Sequence, residues 1–378
     1  MKDVYMRTPR RWMSLLANNL GLRYSSKNIN MFEKPKTFKS SMIFKLKKFL
    51  KASFLPPVEW FLPYDLIFKI SNDINLIIES GSKLINTSKN YIIYIENGYG
   101  LFGYNTKKIN KYNLFFFKKK IKEKNLKGFV FYSKFSMLTT KNIFDSLGLS
   151  HEFERLNLGV IYPYTEQGNS NGALEKSNKS ILFCSSTLTL KGGLEVIECF
   201  TKYSEELKSF KLKIITKLQD IPYEFIKNNS NIEFIEFDLS KEDYEKYLSD
   251  TYIYLHPTFF DSCPLSLLEN ISFGIPSIGT NTFAINEFID NSGIIIENPY
   301  HIYNSAGEYQ KEGVILDFAE DIIKNHELNT NLVDNIKNAI LEIDANYSEY
   351  KNKIDVHKSK FNSEITKEKW IDIINEYR

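Results

Sequence analysis

HPTFFDSCPLSLLENISFGIP, residues 256–276, joins the end of a buried strand to a helix that stops on a glycine. The run Thr251 to Leu255 before it is apolar and strand-like, and the strand ends at His256-Pro257. A short loop then carries Asp261, and Pro264 falls where the first helical turn tolerates a missing N–H. The backbone N–H groups of Ser262, Cys263 and Leu265 are expected to point at whatever lies ahead of that helix, an arrangement that attracts phosphate. Glu269 follows about a turn and a half inside the helix. With one acid ahead of the helix and one within it, the pair can grip opposite ends of an extended ligand. Gly274 ends the helix and Pro276 stops it from continuing.

Outward from this stretch, the second half alternates regularly between strand and helix. Strands are predicted at Ser180–Cys184, Leu212–Thr216, Ile232–Phe237, Thr251–Leu255 and Ser277–Gly279. Helices are predicted from Gly193 to about Leu207, from Pro222 to Asn228, and from Ser240, where Asp243 completes a Ser-x-x-Asp cap. The first half gives fewer elements: strands at Tyr91–Ile95, Gly128–Ser133 and Val160–Tyr162, with a helix running through Phe144 to a stop at Gly148. The last segment, Ile365–Tyr377, reads as an amphipathic helix. This alternation implies α/β architecture with parallel, doubly wound sheets and ligands at the carboxyl ends of the strands. The first 60 residues, broken by Pro56-Pro57, give no clear pattern.

A chain of 378 residues fits two domains. An apolar share of 43% with 25% charged residues excludes disorder. Three cysteines, Cys184, Cys199 and Cys263, form no paired spacing, so neither a disulfide scaffold nor a zinc site is expected. No apolar run follows the basic start and none approaches the roughly 20 residues that span a bilayer, so a cytoplasmic protein without a signal peptide is expected. Charge is divided unevenly. Residues 1–165 carry 28 Lys and Arg against 11 Asp and Glu, whereas the remainder carries 21 against 35. That asymmetry suggests a first half facing something anionic. It concentrates at Lys45–Lys51 and at Lys118–Lys122, behind Phe115-Phe116-Phe117. One reading is a solvated lysine face; the other is a patch for an anionic membrane surface or acceptor.

The 256–276 stretch resembles the E-x7-E signature of retaining GT-B glycosyltransferases in glycosyltransferase family 4, with Asp261 and Glu269 in the two acidic places. The likeness continues through Gly274-Ile-Pro276, Thr280-Asn281 and Glu287-Phe288-Ile289, and back to the K-G element at Lys191-Gly192-Gly193. It implies a GT-B fold, two Rossmann-like doubly wound domains facing a central cleft. The corresponding division is an acceptor-side domain at 1–165, a linker at 166–180, a nucleotide-sugar domain at 181–350, and a C-terminal helix at 351–378 packing back on the first domain. The implied activity is transfer of a sugar from a nucleotide diphosphate sugar to a glycan or polyprenyl-linked acceptor, in bacterial surface polysaccharide or glycoconjugate synthesis.

By the same resemblance Glu269 accepts hydrogen bonds from the ribose hydroxyls and Asp261 holds hydroxyls of the transferred sugar. The backbone of Ser262, Cys263, Pro264 and Leu265, with Lys191 and Gly192, meets the diphosphate. Two departures stand out. The family usually places an arginine shortly before the lysine, and this chain has Ser185-Ser186 there; Lys217, with Ser186, is the candidate for compensation. The first acid is Asp, one methylene shorter than Glu. Glu96, in Glu96-Asn97-Gly98 at a strand end, is the candidate acceptor-side catalytic group, since residues 1–150 hold no histidine. No Asp-x-Asp occurs, so no metal and no cofactor are expected. Plainer roles remain open: Asp261 as a helix cap, Glu269 as a surface residue, Lys191 as a solvated turn lysine, His256 as a packed strand end. The alternative function is a weakened GT-B-like accessory or scaffold subunit. A nucleic-acid module has no recognised motif behind it.

Overall fold

Strands whose side chains are apolar on both faces must be covered on both faces, and two such sheets form here. In the computed structural model, which describes residues 1–8, 10–25, 49–168, 179–222, 231–304 and 307–378, each sheet is six-stranded with every pairing parallel. The first contains β1 (Val4–Arg7), β2 (Arg23–Ser25), β3 (Leu76–Glu79), β4 (Asn90–Ile95), β5 (Leu126–Phe131) and β6 (Asn157–Val160), in the order β2-β1-β3-β4-β5-β6. The second contains β7 (Lys179–Cys184), β8 (Phe210–Thr216), β9 (Ile232–Glu236), β10 (Ile253–His256), β11 (Ser277–Thr280) and β12 (Ile294–Ile296), in the order β12-β11-β10-β7-β8-β9.

The chain divides into two units. Unit 1 comprises Met1–Tyr164, Asn304–Phe318 and Glu364–Arg378; unit 2 comprises Thr165–Tyr303 and Ala319–Ser363. Asn304–Phe318 therefore lies in unit 1 although it falls inside the range 181–350 assigned to the donor domain, and residues 351–363 stay with unit 2. Most of the expected linker, residues 169–178, and most of the helix expected at Pro222–Asn228 lie outside the described residues.

Unit 1 is built on aromatic packing. On one side of its sheet the rings of Trp12 and Tyr132 meet edge to face at 5.5 Å, and Tyr94 meets Trp370 of the Ser363–Tyr377 helix at 5.0 Å. Elsewhere Phe117 packs against Phe102 at 4.6 Å and Phe144 at 5.3 Å. Edge-to-face geometry suits the ring quadrupoles and adds about 0.5–1.5 kcal/mol per pair beyond area burial. In unit 2, β7, β8 and β10 contribute fully buried aliphatics: Ile181, Leu182, Ile214, Ile253 and Leu255. Ser240 caps the Lys241–Ser249 helix through the Asp243 N–H, as its sequence predicts. Among the described residues no helix is long and apolar enough to cross a membrane.

Candidate functional site

The site develops in unit 2 where β7 and β10 lie side by side. β7 leads to β8 and β9 on one side, while β10 leads to β11 and β12 on the other. Loops leaving two such strands diverge and open a crevice at their carboxyl ends. β7 ends at Cys184 there and β10 at His256.

The β10 exit is fastened to the turn that follows β7. Phe259 N–H donates to the Leu190 carbonyl at 3.0 Å, and the Phe259 carbonyl accepts from Asn298 Nδ2 at 3.1 Å. Gly192 closes this turn at φ +71°, and a Cβ there would sit 2.2 Å from the Pro257 carbonyl oxygen. Only glycine meets both conditions, which fixes why Lys191 is followed by it.

Asp261 is held by two hydrogen bonds. Its Oδ2 accepts from Lys191 Nζ at 2.5 Å and its Oδ1 from the Cys263 N–H at 3.2 Å, while Lys191 also donates to the Phe260 carbonyl at 2.8 Å. His256 Nε2 stands 3.6 Å from Asp261 Oδ2, too far for a hydrogen bond. Burial alone would raise the Asp261 carboxyl, but the Lys191 ammonium and His256 outweigh it and hold it well below the usual carboxylate range. Burial likewise pushes the His256 imidazole down, against the pull of Asp261.

Glu269 occupies the second turn of the Leu265–Ser272 helix and is half-buried. Burial first, and then its charge, push the Cys184 thiol up to about 12. Burial, Cys184 and the charges of Glu269 and Asp261 keep the Tyr254 hydroxyl well above its ordinary value, so both acids act on one buried group. The hydroxyls of Tyr244 and Tyr254, His256 Nε2 and Thr258 Oγ1 are buried without a hydrogen-bond partner among the described residues. Three of these follow one another along the end of β10, at Tyr254, His256 and Thr258, and the fourth is on the Lys241–Ser249 helix; such buried groups are few in a folded interior.

The other sequence candidates fall as follows. Gly192 precedes the Gly193–Lys202 helix, and Ser262 and Leu265 are half-buried around Pro264, which stands at the N-cap of the 265–272 helix. The Cys263 N–H is engaged by Asp261 itself, so it differs from the open donor its position suggested. Ser185 Oγ accepts from Thr187 N–H, and the neighbouring Ser186 is half-buried. Lys217 is exposed just past β8, one strand over from β7. Glu96 belongs to unit 1, at the end of β4, where Arg10 donates to it at 2.6 Å.

Sequence reasoning missed a buried group beneath the loop. Glu195 Oε1 lies 2.8 Å from His326 Nε2, both side chains almost fully enclosed, and Tyr300 Oη lies 3.2 Å from His326 Nδ1. The Phe259 ring rests on Tyr300 and His326 at 5.0 and 5.3 Å between centroids. Neither Glu195 nor His326 stands in a motif, and their separation in sequence hides the contact.

The pH dependence has a definite sign. His256 and Asp261 are both depressed in the fold, so each contributes stability above its unfolded value that is lost as pH falls through the folded one. The urea midpoint of unit 2 should therefore decline below the ordinary histidine value of 6.5 and again below the aspartate value of 3.8. His357, buried against the Phe288 carbonyl at 2.6 Å, acts in the same direction. His256→Gln should flatten part of the upper slope between pH 7 and 5; identical slopes would refute the assignment.

Residues 178–307 match a family model described as glycosyl transferases group 1. No curated protein matches the chain. Among solved structures, Anabaena Alr3699/HepE in complex with UDP superimposes with a TM-score of 0.54 at 10% identity, over 100% of both chains. TarM gives 0.49 at 18% identity, covering 81% of this chain and 55% of its own. The pneumococcal O-GlcNAc transferase GtfA, in complex with UDP and GlcNAc, gives 0.50 at 13%, covering 80% and 56%. This chain thus spans little more than half the length of TarM and GtfA. At such identities the likeness is one of fold, carried by the full-length match. Residues 178–307 are thus similar to glycosyl transferases group 1, in an α/β chain of GT-B fold.

Proposed function

We propose that this protein is a retaining glycosyltransferase that moves a hexose or related sugar from a nucleotide diphosphate sugar to a glycan or lipid-linked acceptor, without a metal or cofactor, at the cytoplasmic face of a membrane. The observation that supports the reading is the gathering of Asp261, Glu269 and Lys191 about the end of β10, where Tyr254, His256 and Thr258 carry buried polar atoms. Such a site offers acceptors for hydroxyls at two places and a cation beside one of them, which suits a sugar, a ribose and a bridging diphosphate. Glu269 takes the ribose, Asp261 the sugar, and Lys191 with the Ser262–Leu265 backbone the phosphates. Glu96, oriented by Arg10, serves the acceptor side. Metal independence rests on the absence of any Asp-x-Asp in the sequence.

Lys191 answers Asp261 within the protein, so a diphosphate must share that cation. With Ser185-Ser186 in place of the usual arginine, no bidentate partner replaces it, and Lys217 is the proposed second charge. The same feature supports the second reading, an accessory subunit whose donor site binds weakly. Titration calorimetry with UDP and GDP separates the two. Saturable binding of one nucleotide, and release of that nucleotide from its sugar conjugate, is the expected result. Binding of neither would overturn the enzyme reading in favour of the scaffold.

A further inference from the structure

Glu195 enters the interior one helical turn after Lys191, in the first turn of the Gly193–Lys202 helix, and is wholly buried. Its Oε1 accepts from the Asn329 N–H at 3.3 Å and faces His326 Nε2 at 2.8 Å, the latter without the alignment of a hydrogen bond. Its Oε2 has no hydrogen-bond partner among the described residues. A carboxylate so incompletely met is costly, and apolar residues of similar volume often stabilise a fold as well. What the polar set adds is direction. Tyr300 Oη, 3.2 Å from His326 Nδ1, fixes the far side of the imidazole. The buried Phe259 ring lies on both Tyr300 and His326. Its carbonyl accepts from Asn298, whose own Oδ1 accepts from the Tyr300 N–H at 2.9 Å. Side chain and main chain of Phe259 are therefore both set through Tyr300.

We infer that Glu195, His326 and Tyr300 are positioning residues, which hold Asp261 against Lys191 by fixing Phe259 from beneath. Both ends of the Lys191–Asp261 pair lead back to this group. Lys191 is joined to it by the helix that begins beside it, and Asp261 by the two residues from Phe259, with the Phe260 carbonyl accepting from Lys191 between them. Only one methylene separates the Asp261 carboxyl from its Cα, so the carboxylate follows any shift of the loop. A group held in place beforehand costs no reorganisation when it acts. None of the three residues is required to touch the donor. Their bearing on turnover rests on the donor-site reading proposed above; the placement of Asp261 does not.

Carbon-13 NMR of the carboxylates, with Asp261 assigned by its loss in D261N, tests that placement without substrate. Against the upward push of burial, Lys191 and His256 keep this carboxyl well below the usual range, so its resonance in the parent should stay flat from about pH 7 to 4. In E195L and H326L the opposing charge retreats, and titration should enter that window. E195Q, which keeps the shape and an acceptor, should resemble the parent. Y300F removes a single hydroxyl and should give a smaller shift in the same direction, which serves if a leucine variant does not fold. The control is L207A: Leu207 is wholly buried just before β8, at the end of the parallel sheet opposite the loop. It should lower the melting temperature and leave the Asp261 resonance alone. Release of UDP from UDP-glucose and of GDP from GDP-mannose gives the second readout. H326L should lose up to about 100-fold in kcat, the scale of a displacement of about 1 Å, with affinity for the bare nucleotide unchanged. D261N/H326L should be no worse than D261N, because the effect passes through that carboxylate. An Asp261 resonance unmoved in every folded variant of the three, or moved equally in L207A, overturns the inference. So does a loss in D261N/H326L equal to the product of the single losses. A parent that turns over neither nucleotide sugar counts against the donor-site reading alone, and the carboxyl titration still decides the positioning.

Discussion

Glu269→Ala should lower kcat/KM for donor turnover by at least roughly 100-fold, because a carboxylate accepting two ribose hydroxyls contributes about 1.5–3 kcal/mol per hydrogen bond. The ribose is remote from the bond that breaks, so the loss should fall on binding more than on the chemical step. Calorimetry should show it as weakened affinity for the bare nucleotide. Asp261→Asn should behave differently. It removes the charge that holds Lys191 at 2.5 Å and the acceptor proposed for the sugar, while leaving the ribose end untouched. Nucleotide affinity should therefore persist while kcat falls. The contrast tests the assignment of ends: equal losses of affinity in both variants would mean that the two acids do not divide the ligand as proposed. An unaltered Glu269→Ala enzyme would leave that carboxylate as the plain surface residue its half-burial also permits. Melting temperature is the control, since Glu269 is half-buried whereas Leu267, Leu268 and Ile271 beside it are buried.

The residues that were legible in advance are those whose role is set locally. Strands β4, β5, β7, β8 and β10 read as apolar runs because parallel strands are buried on both faces. β1 and β2 did not, since Val4–Arg7 ends in arginine and Arg23–Ser25 is largely exposed, leaving neither run nor alternation to detect. β3 is a run of three apolar residues closed by the buried Glu79, which breaks the apolar pattern. The aromatic run Phe115-Phe116-Phe117 looked like one patch, but successive helical positions are about 100° apart, so Phe117 entered the core while Phe115 stayed outside. The basic run beside it split the same way at Lys120. In unit 2 the Asp261–Glu269 spacing and the Lys191-Gly192 turn were visible because one loop, one turn and one helix carry them. The Glu195–His326–Tyr300 contact was not, since it exists only once β12 and the 315–325 helix are in place. Lys45–Lys48, part of the first basic run, lie outside the described residues.

The largest stability effect is expected in unit 1, from Arg7→Met. β1 and β3 mark the switch point of that sheet, and their last residues form a buried pair. Glu79 is 1% exposed and accepts from Arg7 Nε at 2.9 Å through each oxygen, from Tyr64 Oη at 2.7 Å and from the Gly81 N–H at 2.8 Å. The desolvation cost of such a charge is met only while its partner stays. Burial by itself would lower the Arg7 guanidinium, yet the charge and hydrogen bond of Glu79, together with Tyr64 and Tyr132, more than reverse this and raise it. Removing the guanidinium leaves a carboxylate enclosed with two neutral donors, and breaking a buried pair from one side costs about 3–5 kcal/mol. Urea unfolding should register that loss, and the double variant R7M/E79Q should recover a large part of it, because glutamine keeps an acceptor for Tyr64 or Gly81 without a charge. Gly81→Ala should weaken the same pair by a different route, since a Cβ there would lie 1.7 Å from Arg7 Nη2 and the guanidinium would have to move. If R7M/E79Q were less stable than R7M alone, the penalty would not come from an unpaired charge, and the pair's contribution would have to be sought in packing of the arginine stem.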